Sequence, residues 1–322
     1  MAVTNTPAPG TKVSMRLAYG EALVALGHAN PDVVVLSADV QNSDHSYMFE
    51  DAFPDRFFNV GISEQSLVDV AVGLANGGYI PFANTFAFLF ATRAVEMIRT
   101  HLSYGGANVK LMGAYGGISD SFDGPTHHSN TDLAILRSLP RMTVIVPGDT
   151  TSVTKMLPAV AAHQGPVYVR LNRNEVPVLY GDDFAPTIGK AHQLQDGKDV
   201  TIIACGLMVS RAIEASDVLR SKGLDARVLD MHTIKPIDVD AVAQAARQTG
   251  AIVTVEEHTV LGGLGGAVAE VASEVHPVPI RRVGLADRFA ETGPYDRILD
   301  AHGMSIDAIV AAAEAAVDAK KN

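Results

Sequence analysis

The amino-acid sequence predicts an α/β fold made of two domains, each a mostly parallel sheet flanked by helices. Short apolar runs alternate with helical patterns through nearly the whole chain, and a polar stretch with glycine and proline divides it near the middle. Strands covered by helices on both faces are continuously apolar, so this pattern favours parallel sheets. At 322 residues, with 47% hydrophobic and 19% charged residues, the chain is long enough to bury two cores.

The first domain is predicted over residues 12–180 and contains four apolar runs that indicate strands. These runs are VVVLSADV (33–40), ANVKLMGA (107–114), MTVIVPG (142–148) and PVYVRL (166–171). Apolar residues at helical spacing lie around them and predict helices near 15–27, 63–77, 87–104, 130–139 and 150–163.

The second domain is predicted over residues 190–322, after a linker at about 175–195. Its strands are predicted at VTIIACG (200–206), DARVLDM (225–231), AIVTVEE (251–257) and IRRVGL (280–285). Helices are predicted near 210–222, 238–249, 265–275 and 305–319.

Charge and cysteine content exclude several classes of protein. The formal net charge of −11 argues against a nucleic-acid-binding surface, which needs clustered Lys and Arg. The single cysteine, Cys205, lies in an apolar strand, which rules out an internal disulfide framework and predicts a buried thiol. The first ten residues do not resemble a signal peptide, and no apolar stretch approaches the roughly 20 residues of a membrane span. We therefore expect a cytoplasmic protein.

The loop GGISDSFDGPTHHSNTDLAILR (116–137) is the strongest candidate site. It follows a predicted strand and precedes a helix, at the sheet edge where α/β proteins bind ligands. Asp123 and His127 combine an acceptor with a group that titrates near neutrality. The alternative is a surface loop with a helix cap at Ser129 or Asn130. We favour a functional loop, because binding residues concentrate on loops held by a rigid scaffold.

A metal site at the two histidines of this loop is disfavoured. Adjacent His127 and His128 would point apart, and no HExxH or cysteine-rich pattern accompanies them. We predict that this chain contributes no metal ligand.

A second candidate is the helix in VGISEQSLVDVAVGL (60–74). Its apolar residues recur at helical spacing and Ser63 can cap its start, which places Glu64 in the first turn. Judged by its position alone, such an acid stabilises the helix by about 0.3–1 kcal/mol through its interaction with the helix dipole.

Three weaker signals leave alternatives open. The phenylalanines of ANTFAFLFATRAVEMIR (83–99) fit a core, or for one or two of them the wall of a pocket for a flat heterocycle. Arg173, just beyond a strand, could bind a phosphate with two hydrogen bonds or lie solvated on the surface. GGLGGAVAEV (262–271) approaches a dinucleotide fingerprint, but Val268 stands at the third glycine position, which favours a glycine-rich helix start.

Together these stretches resemble the C-terminal half of transketolase over nearly the whole chain. LSADVQNSD, VGISEQS, FANTFAF, DGPTHH, PGD, HTIKPID and VEEHTVLGGLGGAVAE occur in the family's order. The resemblance implies a thiamine-diphosphate-binding pyrimidine domain followed by the transketolase C-terminal domain. It also implies an enzyme of carbohydrate metabolism, a transferase that moves a two-carbon ketol unit from a ketose, which we expect to be phosphorylated, to an aldehyde acceptor.

The resemblance assigns four residues to the cofactor. Glu64 matches the glutamate that bonds a ring nitrogen of the aminopyrimidine and promotes the imino tautomer, which makes it catalytic as well. Phe86 matches an aromatic residue that stacks on the same ring. Leu89 stands where many relatives carry a second aromatic residue. Asp39 matches an acid near the cofactor and the interface between chains.

The remaining matches concern the sugar. Asp123 and His127 match residues that contact its hydroxyls and developing oxyanion, and they complete the predicted catalytic set. The predicted substrate-binding residues are Arg16, Ser43 and Arg173, which match phosphate ligands, and Tyr115, which stands where transketolases carry a histidine. Ser121-Phe122 replaces the usual Gly-Glu. These departures lie in the substrate pocket, so they leave open a phosphorylated, sulfonated or branched sugar.

One motif of the family is missing, and its absence implies a partner. Transketolases hold the diphosphate and Mg²⁺ with Gly-Asp-Gly and a later asparagine, oxygen ligands of the kind magnesium prefers. Here Gly148-Asp149 precedes Thr150 instead of glycine. The resemblance therefore implies a separate diphosphate-binding N-terminal subunit, two of each chain in a heterotetramer, and activity only with that partner.

Three alternatives remain at this stage. A deoxyxylulose-phosphate-synthase-like subunit would use pyruvate, which does not require the hydroxyl-reading DGPTHH loop. The beta subunit of 2-oxoacid dehydrogenases shares the size and organisation but normally lacks that loop. A non-catalytic relative is disfavoured by the joint presence of Glu64, Asp123 and His127.

Overall fold

The computed structural model describes residues 7–321. The expectation that the chain does not start with a signal peptide rests on residues 1–10, most of which lie outside the described range. Within it, no helix combines the length and the hydropathy that crossing a membrane would need.

Fourteen strands and thirteen α-helices make up the described chain. The strands are β1 (Lys12–Ser14), β2 (Val33–Ser37), β3 (Phe57–Asn59), β4 (Ile80–Phe86), β5 (Lys110–Ala114), β6 (Thr143–Ile145), β7 (Val167–Arg170), β8 (Glu175–Pro177), β9 (His192–Gln195), β10 (Val200–Ala204), β11 (Ala226–Asp230), β12 (Thr233–Lys235), β13 (Ile252–Thr259) and β14 (Ile280–Leu285).

The helices are α1 (Met15–Ala29), α2 (Gln41–Asp44), α3 (Tyr47–Ala52), α4 (Glu64–Asn76), α5 (Ala87–Thr92), α6 (Val95–Met97), α7 (Asp132–Ser138), α8 (Thr150–Ala162), α9 (Met208–Ser221), α10 (Val239–Thr249), α11 (Leu264–Val275), α12 (Tyr295–Ala301) and α13 (Ile306–Lys321). A 3₁₀ turn (Pro54–Arg56) and a π-helix (Ile98–Tyr104) complete the described chain.

The strands form two main sheets, both mostly parallel, which confirms the predicted fold class. The first sheet has the order β12-β6-β7-β5-β4-β2-β3, and only β12 in it runs antiparallel to its neighbour. The second has the order β14-β13-β10-β11-β9, with β9 antiparallel at its edge. A short ribbon pairs β1 with β8.

The two sheets share one packed interior. Strand β12 follows β11 in the chain, yet it pairs with β6 at the edge of the first sheet. One apolar cluster contains Met112 of β5 and Val200 of β10, and the other contains Leu111 and Ile203 of the same strands. Because each cluster draws on both sheets, the second domain packs directly against the first.

Most predicted elements agree with the structure, and one region does not. Every predicted helix except 87–104 lies within two residues of the observed bounds. The segment 87–104 breaks into α5, α6 and the π-helix, which turns Ile98 and Leu102 into the core. Strand β4 was also missed, because its phenylalanines lie at spacings that fit a helical cluster as well as a strand. The short strands β1, β3, β8, β9 and β12 and the helices α2, α3 and α12 were not predicted either.

Candidate active site

The residues predicted to form a site lie along one edge of the first sheet. Strands β2, β3, β4, β5 and β7 run parallel, so their carboxyl ends meet at this edge. The predicted residues follow those strand ends: Asp39 and Ser43 after β2, Glu64 after β3, Phe86 and Leu89 at β4, Tyr115, Asp123 and His127 after β5, and Arg173 after β7. Arg16 reaches the same edge from the start of α1.

Stacked aromatic rings form the centre of the site. The Phe86 and Tyr115 rings lie 4.6 Å apart with an interplanar angle of 14°. His127 meets Phe86 and Phe88 edge-on, at 6.4 and 5.4 Å between ring centroids. Tyr115 is held at φ +61°, a left-handed conformation that costs a non-glycine residue about 1–3 kcal/mol. Backbone strain of this kind is characteristic of functional sites.

Two arginines frame the same tyrosine. Arg16 donates from Nη1 to the Ser43 carbonyl at 2.6 Å and to the Tyr115 hydroxyl at 3.2 Å. Its Nε donates to the Arg173 carbonyl at 2.9 Å. The guanidinium carbons of Arg16 and Arg173 lie 5.4 and 5.2 Å from the centroid of the Tyr115 ring. The structure therefore brings all four predicted substrate-binding residues together, with Ser43 contributing its carbonyl.

A buried acid that the sequence analysis did not single out completes this cluster. Asp120 is fully buried, and its Oδ1 lies 3.0 Å from Nη1 of Arg173. Burial raises the pKa of Asp120 to about 6, against the opposing effect of Arg173, and the neighbouring Asp123 raises it further. A usable sequence signal existed, because Asp120 precedes Asp123 by three residues in the same glycine-containing loop.

The second domain anchors the loop that carries these acids. Glu257 of β13 accepts hydrogen bonds from the Ile118 backbone N–H at 2.8 Å and from Asn172 Nδ2 at 3.3 Å. Burial raises the pKa of Glu257 to about 7, although Arg170 opposes this. The Gly293 backbone N–H donates to the Ser121 carbonyl at 3.0 Å. The loop is thus held at both its start and its middle by residues far away in the chain.

The two adjacent histidines of the loop have different environments. His127 is half-buried beside the phenylalanines, and its Nδ1 lies 3.0 Å from the Thr126 hydroxyl. His128 is buried, and within residues 7–321 no well-aligned hydrogen bond reaches its ring nitrogens. Burial lowers the pKa of His128. The helix after the loop begins at Asp132 with Thr131 at the N-cap position, so the alternative cap at Ser129 or Asn130 was wrong.

Glu64 and Asp39 have contacts of their own, separate from those of the stacked rings and the two arginines. Glu64 is the first residue of α4 and is 4% exposed, and Arg93 Nη1 lies 3.8 Å from its Oε2. Within residues 7–321, no hydrogen bond reaches the Glu64 carboxylate. Ser63 occupies the N-cap position, but its hydroxyl bonds to Ser66 at 2.8 Å, so the expected capping bond was wrong. Asp39, at φ +62°, accepts from Asn59 Nδ2 at 3.0 Å.

Comparison with known proteins decides the family. Residues 11–178 match the family "Transketolase, pyrimidine binding domain", and residues 189–309 match "Transketolase, C-terminal domain". The chain belongs to the transketolase family. Its similarity to subunits of split-gene transketolases confirms the resemblance seen in the sequence.

Two relatives and one solved structure illustrate this similarity. The 6-deoxy-6-sulfo-D-fructose transketolase subunit SqwH of Clostridium sp. (strain MSTE9) is 38% identical, covering 95% of either chain. An apulose-4-phosphate transketolase subunit of Phocaeicola vulgatus is 39% identical, covering 92% of this chain and 95% of that protein. A solved split-gene transketolase, an inactive beta4 tetramer, is 45% identical with a TM-score of 0.90, over 96% of this chain and 99% of that one.

Two segments that approach cofactor motifs, the diphosphate motif at Asp149 and the dinucleotide fingerprint at 262–271, are occupied by contacts within the chain. Asp149 caps α8, accepting from Ser152 N at 2.7 Å, and its other oxygen accepts from Leu179 N at 2.8 Å and Tyr180 N at 3.1 Å. Glu256 accepts from the first two amides of α11, at 2.7 and 2.8 Å, so GGLGGAVAEV is a glycine-rich helix start as predicted. Among residues 7–321 no three His, Cys, Asp or Glu side chains are grouped to hold a metal ion.

Proposed function

We propose that this chain is the pyrimidine-side subunit of a thiamine-diphosphate-dependent transketolase, with domains at residues 12–180 and 190–322. In this proposal it transfers a two-carbon ketol unit from a ketose with an anionic end, a phosphorylated ketose in the simplest case, to an aldehyde. The observation that carries the proposal is Glu64, a buried first-turn carboxylate that no described residue hydrogen-bonds. A buried carboxylate is costly unless it is hydrogen-bonded, and its 3.8 Å ion pair with the exposed Arg93 supplies no hydrogen bond, so this position suits an external donor.

The predicted cofactor-binding residues suit the aminopyrimidine of the cofactor. Thiamine diphosphate, when bound, supplies the nucleophilic carbon that accepts the ketol unit. The Glu64 carboxyl would share a proton with a pyrimidine nitrogen, which is the general acid–base function of a buried acid. Phe86, fixed in orientation by its stacking on Tyr115, would present an aromatic surface, with Leu89 and Asp39 completing the boundary of the site.

The cluster around Tyr115 suits the sugar. Asp123 and His127 would hydrogen-bond its hydroxyls, and His127 would also stabilise charge that develops on oxygen. Arg16 and Arg173 would hold the anionic end, together with Ser43 and Tyr115. The relatives described above are named for a sulfonated ketose and for a phosphorylated sugar, so family membership leaves the ketose and the aldehyde acceptor open.

The diphosphate and Mg²⁺ are assigned to a partner. The nearest match to the diphosphate motif in this chain is at Asp149, whose carboxylate oxygens already accept backbone N–H groups. Relatives of similar length are named as subunits, and one solved relative is described as an inactive beta4 tetramer. We propose a diphosphate-binding N-terminal subunit as the partner, with two copies of each chain.

Reconstitution tests the proposal. The chain is purified alone and after co-expression with a diphosphate-domain transketolase subunit, and magnesium-dependent binding of thiamine diphosphate is titrated in both. Ketose donors are then screened by mass spectrometry of the products. We expect binding and ketol transfer only in the complex. Tight, magnesium-dependent binding of thiamine diphosphate by the isolated chain would refute the proposal that a partner subunit holds the diphosphate. Turnover of pyruvate in place of ketoses would favour the deoxyxylulose-phosphate-synthase-like alternative.

A further inference from the structure

We infer that Asp120 determines which charge the donor pocket accepts at its anionic end. By pairing with Arg173 it makes the pocket select a donor that ends in a singly charged group, such as a sulfonate or a sulfate ester, over one that ends in a doubly charged phosphate. The inference rests on the proposed function, because it concerns the same donor pocket.

Asp120 faces Arg173, and its carboxylate also contacts that of Asp123. Its side chain is fully buried, and neither carboxylate oxygen has a well-aligned hydrogen bond from any residue in 7–321. The nearest cation is Nη1 of Arg173, at 3.0 Å. The Arg173 side chain is 29% exposed and still reaches the pocket beside Tyr115. A buried carboxylate stays ionised only with such a partner, so Arg173 is committed to it.

The other charged groups near Arg16 and Arg173 do not replace the positive charge that Asp120 neutralises. Arg16 uses Nη1 and Nε for the carbonyls of Ser43 and Arg173. The titratable groups that face the pair are Asp44 and His45 near Arg16, and Asp120, Asp123 and His127 on the loop. The two arginines therefore face two buried carboxylates, Asp44 and Asp120, and the exposed Asp123, so they provide no net excess of positive charge.

Charge is the property that distinguishes the competing anionic groups. A phosphate monoester carries about −1.5 to −2 near neutrality, since its second pKa is about 6. A sulfonate or a sulfate ester has nearly the same shape and a single charge. The pKa of Asp120, raised by burial to about 6, leaves its carboxylate ionised at pH 8. A dianion bound beside Arg173 would bring one more negative charge near Asp120 than a monoanion would, so it would be repelled more strongly.

The experiment compares fructose 6-phosphate with fructose 6-sulfate at pH 8, using the complex with the diphosphate subunit. Both kcat/KM and calorimetric Kd are measured. The wild type should favour the sulfate ester, and Asp120→Asn should shift the ratio toward the phosphate by about tenfold or more, because one unit charge beside a partly buried group interacts by more than thermal energy. Asp120→Glu should keep the preference for the sulfate ester over the phosphate ester. Asp55→Asn, which removes an exposed acid elsewhere, should leave both the kcat/KM ratio and the Kd ratio unchanged.

The outcomes separate this inference from the proposed function. A wild-type preference for the phosphate ester, or an unchanged ratio in Asp120→Asn, overturns the role of Asp120. Absence of ketol transfer with either ester, together with a shifted ratio of Kd values, contradicts the proposed function and leaves the charge selection standing.

Discussion

Replacing Glu64 by glutamine separates its effect on folding from its effect on the cofactor. The substitution keeps the size of the side chain and its hydrogen-bonding ability but removes the proton that a carboxyl can share. Glu64 is 4% exposed at the first position of α4, so glutamine fits the same space without a cavity. The perturbation is therefore confined to charge and proton transfer.

The structure limits the cost to stability. The partner of Glu64, Arg93, is 64% exposed, so solvent screening limits the contribution of the ion pair to the free energy of unfolding to about 0–1 kcal/mol. Loss of the favourable helix-dipole contact costs about 0.3–1 kcal/mol. Relief from burying a charge opposes both, so the melting temperature should fall by no more than a few degrees, at roughly 2–4 °C per kcal/mol.

The effect on the cofactor should be far larger. General acid–base contacts contribute about 10²–10⁴-fold to rate. In the complex with the partner subunit, we expect turnover of Glu64→Gln to fall by a factor in that range. Hydrogen–deuterium exchange at the thiazolium carbon of bound thiamine diphosphate, followed by NMR after acid quench, should slow in parallel.

Two controls sharpen the assay. Arg93→Ala removes the ion pair and leaves the Glu64 carboxyl, so the thiazolium carbon should exchange hydrogen for deuterium at nearly the wild-type rate in this variant. Glu96→Gln, an exposed acid of the neighbouring helix α6, should be silent in both readouts. Wild-type exchange in Glu64→Gln, or a melting temperature lowered by far more than a few degrees with cofactor chemistry intact, would refute the reasoning.

Three further predictions follow from other contacts. Arg173→Ala should raise KM more than it lowers kcat, because an anionic end far from the reacting carbon binds alike in the ground and transition states. The loss in kcat/KM should correspond to about 1.5–3 kcal/mol. Equal losses of kcat/KM with fructose and with fructose 6-phosphate would contradict this prediction. Glu257→Gln should raise donor KM at least severalfold with kcat little changed, since it weakens the bond to the Ile118 N–H that holds the loop; an unchanged KM in steady-state assays would oppose this. Asp230 has a pKa raised to about 7, mainly by burial, above its unfolded value, so its contribution to stability is present below about pH 4 and is lost as pH rises through about 7. Asp230→Asn should gain stability relative to wild type between pH 5 and pH 8 in urea unfolding, and equal pH slopes would count against it.

The sequence by itself determined the fold class and most helices, because these depend on local periodicity. Buried runs such as VVVLS and VTIIA, and apolar residues at helical spacing, predict parallel strands and their covering helices without any long-range contact. The positions of Arg173 just beyond a strand and of Glu64 in the first turn of a helix followed from the same reasoning. Parallel strands that end at one edge bring such residues near each other.

The tertiary structure decided which of these residues touch. Arg16 and Arg173 are 157 positions apart and meet because β1 pairs with β8, which brings the first residues of α1 beside the segment after β7. Ile118 and Glu257 are 139 apart and meet because the second domain packs on the first. Local patterns carry no information on contacts of this range, since their geometry depends on strand order and on the packing of whole sheets. Asp120 shows the consequence: in the sequence it is one acid in a polar loop, and only its burial against Arg173 makes it a determinant of charge in the pocket.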